Sequence, residues 1–363
     1  PLEKFAGLSA GASLTMVAQQ ASGGGMASGG SQLSARADIE VEMPGGSIGA
    51  AEGRLFAHFR AGDGTGVAPA TFATPNATTF GNTPQPVLMQ AWYQMDIPVG
   101  GASGNLGQIE VTVGKIDPFG FFDGNNVSDD ESEGFLNLAF VHNPLLDAGG
   151  DIGVGMHGAS PGMRLAYVSD INGGDHVTAS LGVFGTGTGA DYANTFHKPF
   201  SIAQLEYAGK TWGGLEGAYR LYAWNNAQAL DLAGAEEKHA GWGLSFDQNV
   251  NSGLTLFTRY GHSSQGQVGF DRAFTLGGQL AGSAWGREND RLGLAFGWLK
   301  PSDEYQSANS GFSGAEKQTE LFYVWQANDH FHLSPSVQWI NRPGGDPTVG
   351  NVMVIGLRAK ASY

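Results

Sequence analysis

The segment Asn351–Tyr363 constrains the fold more than any other stretch of the chain. Met353, Ile355, Leu357, Ala359, Ala361 and Tyr363 fall on one side of an extended strand, and Gly356, Arg358, Lys360 and Ser362 on the other. Successive side chains of a strand point to opposite faces, so this is a two-faced strand, apolar outside and charged inside. Two settings suit it: the closing strand of a barrel in an outer membrane, or an edge strand of a soluble sheet.

The same period of two recurs along the chain. Leu33, Ala35, Ala37, Ile39 and Val41 alternate with Ser34, Arg36, Asp38, Glu40 and Glu42. Leu55, Ala57 and Phe59 alternate with Arg54, His58 and Arg60, behind Glu52. Met89, Ala91, Tyr93 and Met95 oppose Gln90, Trp92, Gln94 and Asp96. Leu215, Tyr219 and Leu221 back onto Glu216, Arg220, Tyr222 and Trp224. Leu292, Leu294, Phe296 and Trp298 alternate with Arg291, Gly293, Ala295 and Gly297. So many charged side chains on one face of successive strands do not fit the dry interior of a soluble sandwich, because a buried charge needs a partner. A water-filled barrel accommodates them, with the apolar residues toward lipid.

No run of about eighteen apolar residues occurs, so the sequence contains no spanning helix. A membrane barrel needs none, because only every second residue meets lipid. The net charge of −15 argues against nucleic acid as a partner. The chain has no cysteine, which is compatible with an oxidising periplasm. No signal peptide is visible at Pro1–Lys4, so an exported protein is expected here in its mature form.

Connections alternate in length. Those near 43–48, 98–105, 171–175, 210–212, 249–252, 282–289 and 328–330 are short. Those near 61–86, 118–161, 188–199, 225–238, 263–272, 300–316 and 341–349 are mostly longer. Short turns at one rim and long loops at the other are the pattern of bacterial outer-membrane barrels. The count is roughly sixteen antiparallel strands, from Ala6–Gln19 to the C-terminal one, in a single domain. Phe135–His142 is assigned to the long loop, because counting it as a strand breaks the rhythm. Trp242, Trp298, Trp325, Trp339 and Tyr363 are expected outside, toward strand ends, as aromatic girdles. Pro335 falls on the lipid face of its strand, where a bulge is expected.

A barrel of this size encloses an aqueous lumen that must be narrowed to select. The longest connection, 118–161, is the candidate constriction loop. It carries Asp123, Asp129, Asp130, Glu131 and Glu133, then the apolar Phe135–Phe140. Facing it on the wall would be Arg36, Arg54 and Arg60, with Arg220, Arg259, Arg291, Arg358 and Lys360 elsewhere. Opposed charges across a narrow gap order water and favour dipolar solutes. Asp38, His58, Asp96 and Glu110 complete the expected pore lining, and Trp92 or Trp224 would offer a sugar an aromatic face. Each inward arginine has a plainer reading as the partner of a neighbouring carboxylate.

Other chemistry finds little support. The stretch Asp123–Asp129 resembles a calcium loop, but the expected glycine is missing and Val127 occupies a ligand position. The nine histidines show no metal spacing, and no nucleophile is marked. The expectation is therefore no metal, no cofactor and no enzymatic activity.

Three stretches bear a resemblance. Gly286–Phe296, the run from Phe121 through Asp129-Asp130-Glu131 to Asn137, and Glu320–Gly345 are similar to segments of the carbohydrate-selective porin family, the OprB-like porins. The resemblance runs from about residue 30 to the end and is most specific in the last stretch. It implies a sixteen-stranded barrel in a Gram-negative outer membrane that admits sugars by diffusion, with Pro335 as a family feature. Its expected partners are small hydrophilic solutes and outer-membrane lipid, as a homotrimer or a monomer. The acidic loop and the Arg358/Lys360 pair depart from the family pattern. They leave open a general porin for ions or small acids, and a structural or adhesive barrel with a plugged lumen.

Overall fold

A computed structural model describes residues 2–5, 7–24, 30–100, 107–155, 157–171, 174–187 and 189–363. Its strands are β1 (Leu2–Phe5), β2 (Leu8–Gly23), β3 (Ser31–Ile48), β4 (Ala51–Gly64), β5 (Thr83–Pro98), β6 (Gly107–Ile116), β7 (Ser160–Ile171), β8 (Asp175–Phe184) and β9 (Phe200–Lys210). There follow β10 (Glu216–Leu230), β11 (Glu236–Asn249), β12 (Leu254–Gln265), β13 (Phe270–Ala281), β14 (Arg291–Pro301), β15 (Glu316–Asn328), β16 (Phe331–Asn341) and β17 (Val352–Ser362). From β2 onward each strand pairs antiparallel with the next. β17 then pairs with β2, from Val352 opposite Gly23 to Ser362 opposite Ser13. That last ladder closes a sixteen-stranded barrel and leaves no open edge. β1 is a short extra strand paired with the start of β2.

The alternation decides which way each side chain points. Leu294 is 54% exposed on the outer surface while its neighbour Ala295 is 1% exposed, facing inward. Ile355 and Leu357 are exposed, and Arg358, the residue after them, is fully buried. Trp325, Trp339 and Tyr363 are exposed outside. Trp242 is also outside, but midway along β11 rather than at its end.

Several expectations shift. β10 and β11 run on until only residues 231–235 separate them, and β12 and β13 leave only 266–269, so these two connections are shorter than the sequence suggested. Ala6 and the tips of the short connections near 98–105 and 171–175 lie outside the described residues. Met89, expected toward lipid, is buried, and Leu88 is exposed in its place. A register shift between His58 and Phe59 against β5 accounts for this, because one extra residue exchanges the two faces. Pro335 makes no bulge. It sits opposite Leu357 in an unbroken β16–β17 register, and the irregularity on the β15 side falls at Gln326/Asn328 instead.

The core of the molecule lies inside the barrel. Phe122, Phe135, Phe140, Leu145 and Leu146 of the β6–β7 connection pack against Phe184, Phe200, Phe257 and Phe322 of the wall. This apolar layer fills the lumen on that side, and the open space lies against β2–β5.

Candidate functional site

The β6–β7 connection begins with local capping. Asp117 accepts the amide of Phe119 at 3.0 Å, with Pro118 opening a short turn. Asn137 likewise caps the helix α1 (Leu138–Val141) by accepting from Ala139 N at 2.9 Å. Such short side-chain turns give the chain compact elbows that a sheet cannot supply.

Three buried contacts fix these elbows to the wall. Asp123 holds a left-handed backbone, with φ of 62°, which costs a non-glycine residue energy unless its surroundings enforce it. Here they do. Its carboxylate accepts from Asn143 N (2.6 Å), the Tyr222 hydroxyl (2.6 Å) and Arg259 Nε (3.1 Å), and its amide donates to Gln204 (2.9 Å). Arg259 also reaches Ser128 Oγ, Phe140 O and Asp123 O. On β15, Glu320 accepts the amides of Leu136 and Asn137, both at 2.9 Å. On β17, the guanidinium of Arg358 binds the carbonyls of Glu131, Glu133 and Gly134.

Wall glycines make room for this docking. A Cβ on Gly261 would stand 2.5 Å from Asn143 Oδ1, and one on Gly182 would stand 2.8 Å from the Phe122 ring. A second connection, 65–82, folds inward too, which the sequence reading missed. Leu138 N donates to Thr74 O (3.0 Å) and Ala77 N to Leu136 O (2.8 Å), while Gln19 and Gln338 both donate to Pro75 O.

What remains open is a cavity of about 710 Å³ on the β2–β5 side. Its lining runs from Gly11, Ser362 and Tyr363 at the short-turn rim to Gly153 and Gly158 of the long connection. Seven of the residues expected to line a pore meet there: Arg36, Asp38, His58, Arg60, Asp129, Asp130 and Glu131. On the wall, Asp38 receives Arg36 Nε (2.9 Å), Arg60 Nε (2.5 Å) and His58 Nε2 (2.8 Å). Arg36 also pairs with Glu131 of the loop, which joins wall and loop directly. Beside it, Glu133 is held by Lys360 at 2.6 Å and Arg291 at 2.8 Å.

The remaining expected residues stand elsewhere. Asp123 and Arg259 are fully buried behind the loop, and Arg220 pairs there with Glu206 and Asp247. Arg54 lies 5.6 Å over the Trp92 ring, Asp96 accepts from Gln94, and Glu110 pairs with Arg164. Neither tryptophan offers an open face. Trp92 is stacked on Phe56 at 4.9 Å with Phe121 against its edge, and Trp224 is 3% exposed and donates to Asp151. Beside the water path, together with Tyr363 at the rim, is Phe119, stacked on His142 at 3.8 Å and 4°. No sequence signal singled out Phe119 or His142, since neither belongs to an alternating strand.

Charge states in the loop follow from its surroundings. Burial favours neutral Glu131, but the Arg36 charge outweighs it and holds the pKa at about 2. Glu133 is held at about 2 in the same way by Lys360. Burial raises Asp117 to about 6. Burial alone would lower His142, but the hydrogen bond and charge of Asp147, at 2.7 Å, carry it to about 9. Among the described residues no cluster of three or more His, Cys, Asp or Glu is arranged to hold a metal ion.

A closed sixteen-stranded barrel with an apolar outside and a charged water path inside is an outer-membrane diffusion channel, a porin. The model of the carbohydrate-selective porin, OprB family, matches residues 2–363. The chain belongs to that family, and it forms an outer-membrane channel for the diffusion of carbohydrates. Among solved structures, the high-pH form of Pseudomonas putida OprB superposes with a TM-score of 0.77 at 18% identity, covering 98% of this chain and 94% of that one. The low-pH form of the same protein gives 0.56 at 14%, covering 98% and 93%. The outer membrane channel DcaP of Acinetobacter baumannii gives 0.54 at 11%, covering 98% and 97%. These likenesses are of fold. No curated protein matches the chain.

Proposed function

We propose that residues 118–161 form the constriction loop, and that sugars pass between it and the β2–β5 wall. On this reading Arg36, Asp38, His58, Arg60, Asp129, Asp130 and Glu131 are the groups a passing solute meets. The Arg36–Glu131 pair supports it most, because it joins loop and wall at the side of the open cavity. Guanidinium donors on one side and carboxylate acceptors on the other replace the water a sugar sheds on entering. The Phe119 ring supplies an apolar surface for the CH face of a pyranose. Each contact is weak enough to be left again, as a diffusion channel requires.

Ser13 projects into the same gap from β2. Ser13→Trp narrows the path without touching a charge, while Asp130→Asn removes a charge with little change in width. The expected result in liposome swelling with glucose is a large loss for S13W and a small one for D130N. Equal rates for wild type and S13W would place the path elsewhere and refute the reading. The plugged-barrel alternative predicts no glucose entry in any of the three.

A further inference from the structure

The cavity does not end at the constriction. It shares Gly11, Glu40, Ser362 and Tyr363 with a second cavity of about 570 Å³ at the short-turn mouth, lined also by Glu42, Phe56, Asp329 and His330. Among the described residues, this continuous lining carries nine carboxylate side chains and only three lysines or arginines. These cations are already engaged, Arg36 and Arg60 with Asp38, Arg36 with Glu131, and Lys360 with Glu133, and the charged His142 ring in the same lining is paired with Asp147. Glu40, Glu42, Asp130 and Asp329 are exposed, and among the described residues none of them forms an ion pair with a lysine or arginine. Among the described residues, Glu40 has the His58 ring at 4.0 Å as its one ion-pair neighbour. The excess negative charge thus spans the path from the loop to the periplasmic mouth.

A solute in a gap this narrow stays within about a Debye length, roughly 8–10 Å, of these charges, so salt screens them incompletely. Low-dielectric walls focus the field further. We propose that the channel discriminates sugars by charge, admitting protonated amino sugars ahead of neutral sugars and neutral sugars ahead of sugar acids. This rests on the reading that sugars pass through the β2–β5 cavity. A potential of only about one kT, modest for a cleft lined by one sign, enriches a univalent cation over an anion roughly sevenfold.

The test uses the full-length barrel in two assays. Reversal potential under a KCl gradient should give a potassium-to-chloride permeability ratio of roughly seven. Liposome swelling is run with glucosamine, glucose and glucuronate, at a slightly acidic pH that keeps the amine protonated. The expected order of rates is glucosamine, then glucose, then glucuronate. The variant E40Q/E42Q/D329N, whose changes lie at the mouth, should bring the ratio and the three sugar rates closer together while leaving glucose entry unchanged. Retained glucose entry also shows that the variant has folded. If wild type admits glucose but passes glucuronate as fast as glucosamine, or shows a permeability ratio at or below one, the charge inference is overturned and the sugar path stands. If potassium crosses but glucose does not, the sugar path itself falls, and the sugar ranking with it. An unmoved ratio in the folded triple variant overturns the assignment of the field to this lining.

Discussion

Arg259 gives the sharpest test of how the loop is held. Its side chain and that of Asp123 are both fully buried, 3.1 Å apart. Replacing Arg259 by Met keeps the volume roughly constant but leaves the Asp123 carboxylate in place with only the Tyr222 hydroxyl and the Asn143 amide. Breaking one side of a buried ion pair costs about 3–5 kcal/mol, because the surviving charge stays desolvated. The loss acts on the docked loop and not on the closed ladder of strands, so it should appear as local opening. At about 1.4 kcal/mol per factor of ten, opening of residues 121–130 should increase roughly a hundred- to several-thousandfold. Hydrogen exchange read by mass spectrometry on peptides from this segment measures that factor directly. Peptides from β2 and β17 serve as controls and should not change. The double variant D123N/R259M removes both charges and should recover most of the protection, since a buried pair is worth little against a neutral replacement. A loss below tenfold in R259M, or no recovery in the double variant, would refute the account of the pair as the anchor.

Three further outcomes follow from the same geometry. Leu294→Arg places a charge at the lipid face and should cost about 2–4 kcal/mol in refolding titrations, whereas Arg291→Gln on the inner face should be mild; equal losses would show the faces to be misassigned. His142 has a folded pKa raised to about 9, above its unfolded value of about 6.5, so the stabilisation from its pair with Asp147 is complete below pH 6.5 and lost as pH rises through 9. Exchange protection of residues 142–147 should follow that window, corrected for the intrinsic rate, and His142→Gln should flatten it. An epitope inserted at Gly189 or Asn309, in long connections, should be labelled on intact cells, while one at Asn251, in a short turn, should not. Labelling at Asn251 would reverse the rims.

Much of this protein was written in local pattern. The period of two in Leu33–Glu42, Leu292–Trp298 and Met353–Tyr363 set which residues face lipid, because strand geometry alternates whatever the surroundings. The count of connections then gave the strand number, although 231–235 and 266–269 break the short–long rhythm. The pattern failed at Met89, where a register shift exchanges faces, and a bulge leaves no periodic trace ahead of it. The assignment of arginines was beyond its reach. Arg36 and Arg259 look alike in sequence, each inward on a strand, yet one lines the water path and the other is sealed behind the loop. That difference depends on where residues 117–159 lie down inside the barrel. Their course is set by contacts between residues more than a hundred positions apart, such as Asp123 with Arg259 and Leu136 with Glu320. The wall glycines and the inward turn of 65–82 belong to the same packing. A strand's alternation is fixed by its own backbone, but which of its inward charges meets water is fixed by what else occupies the lumen, and only the assembled barrel determines that.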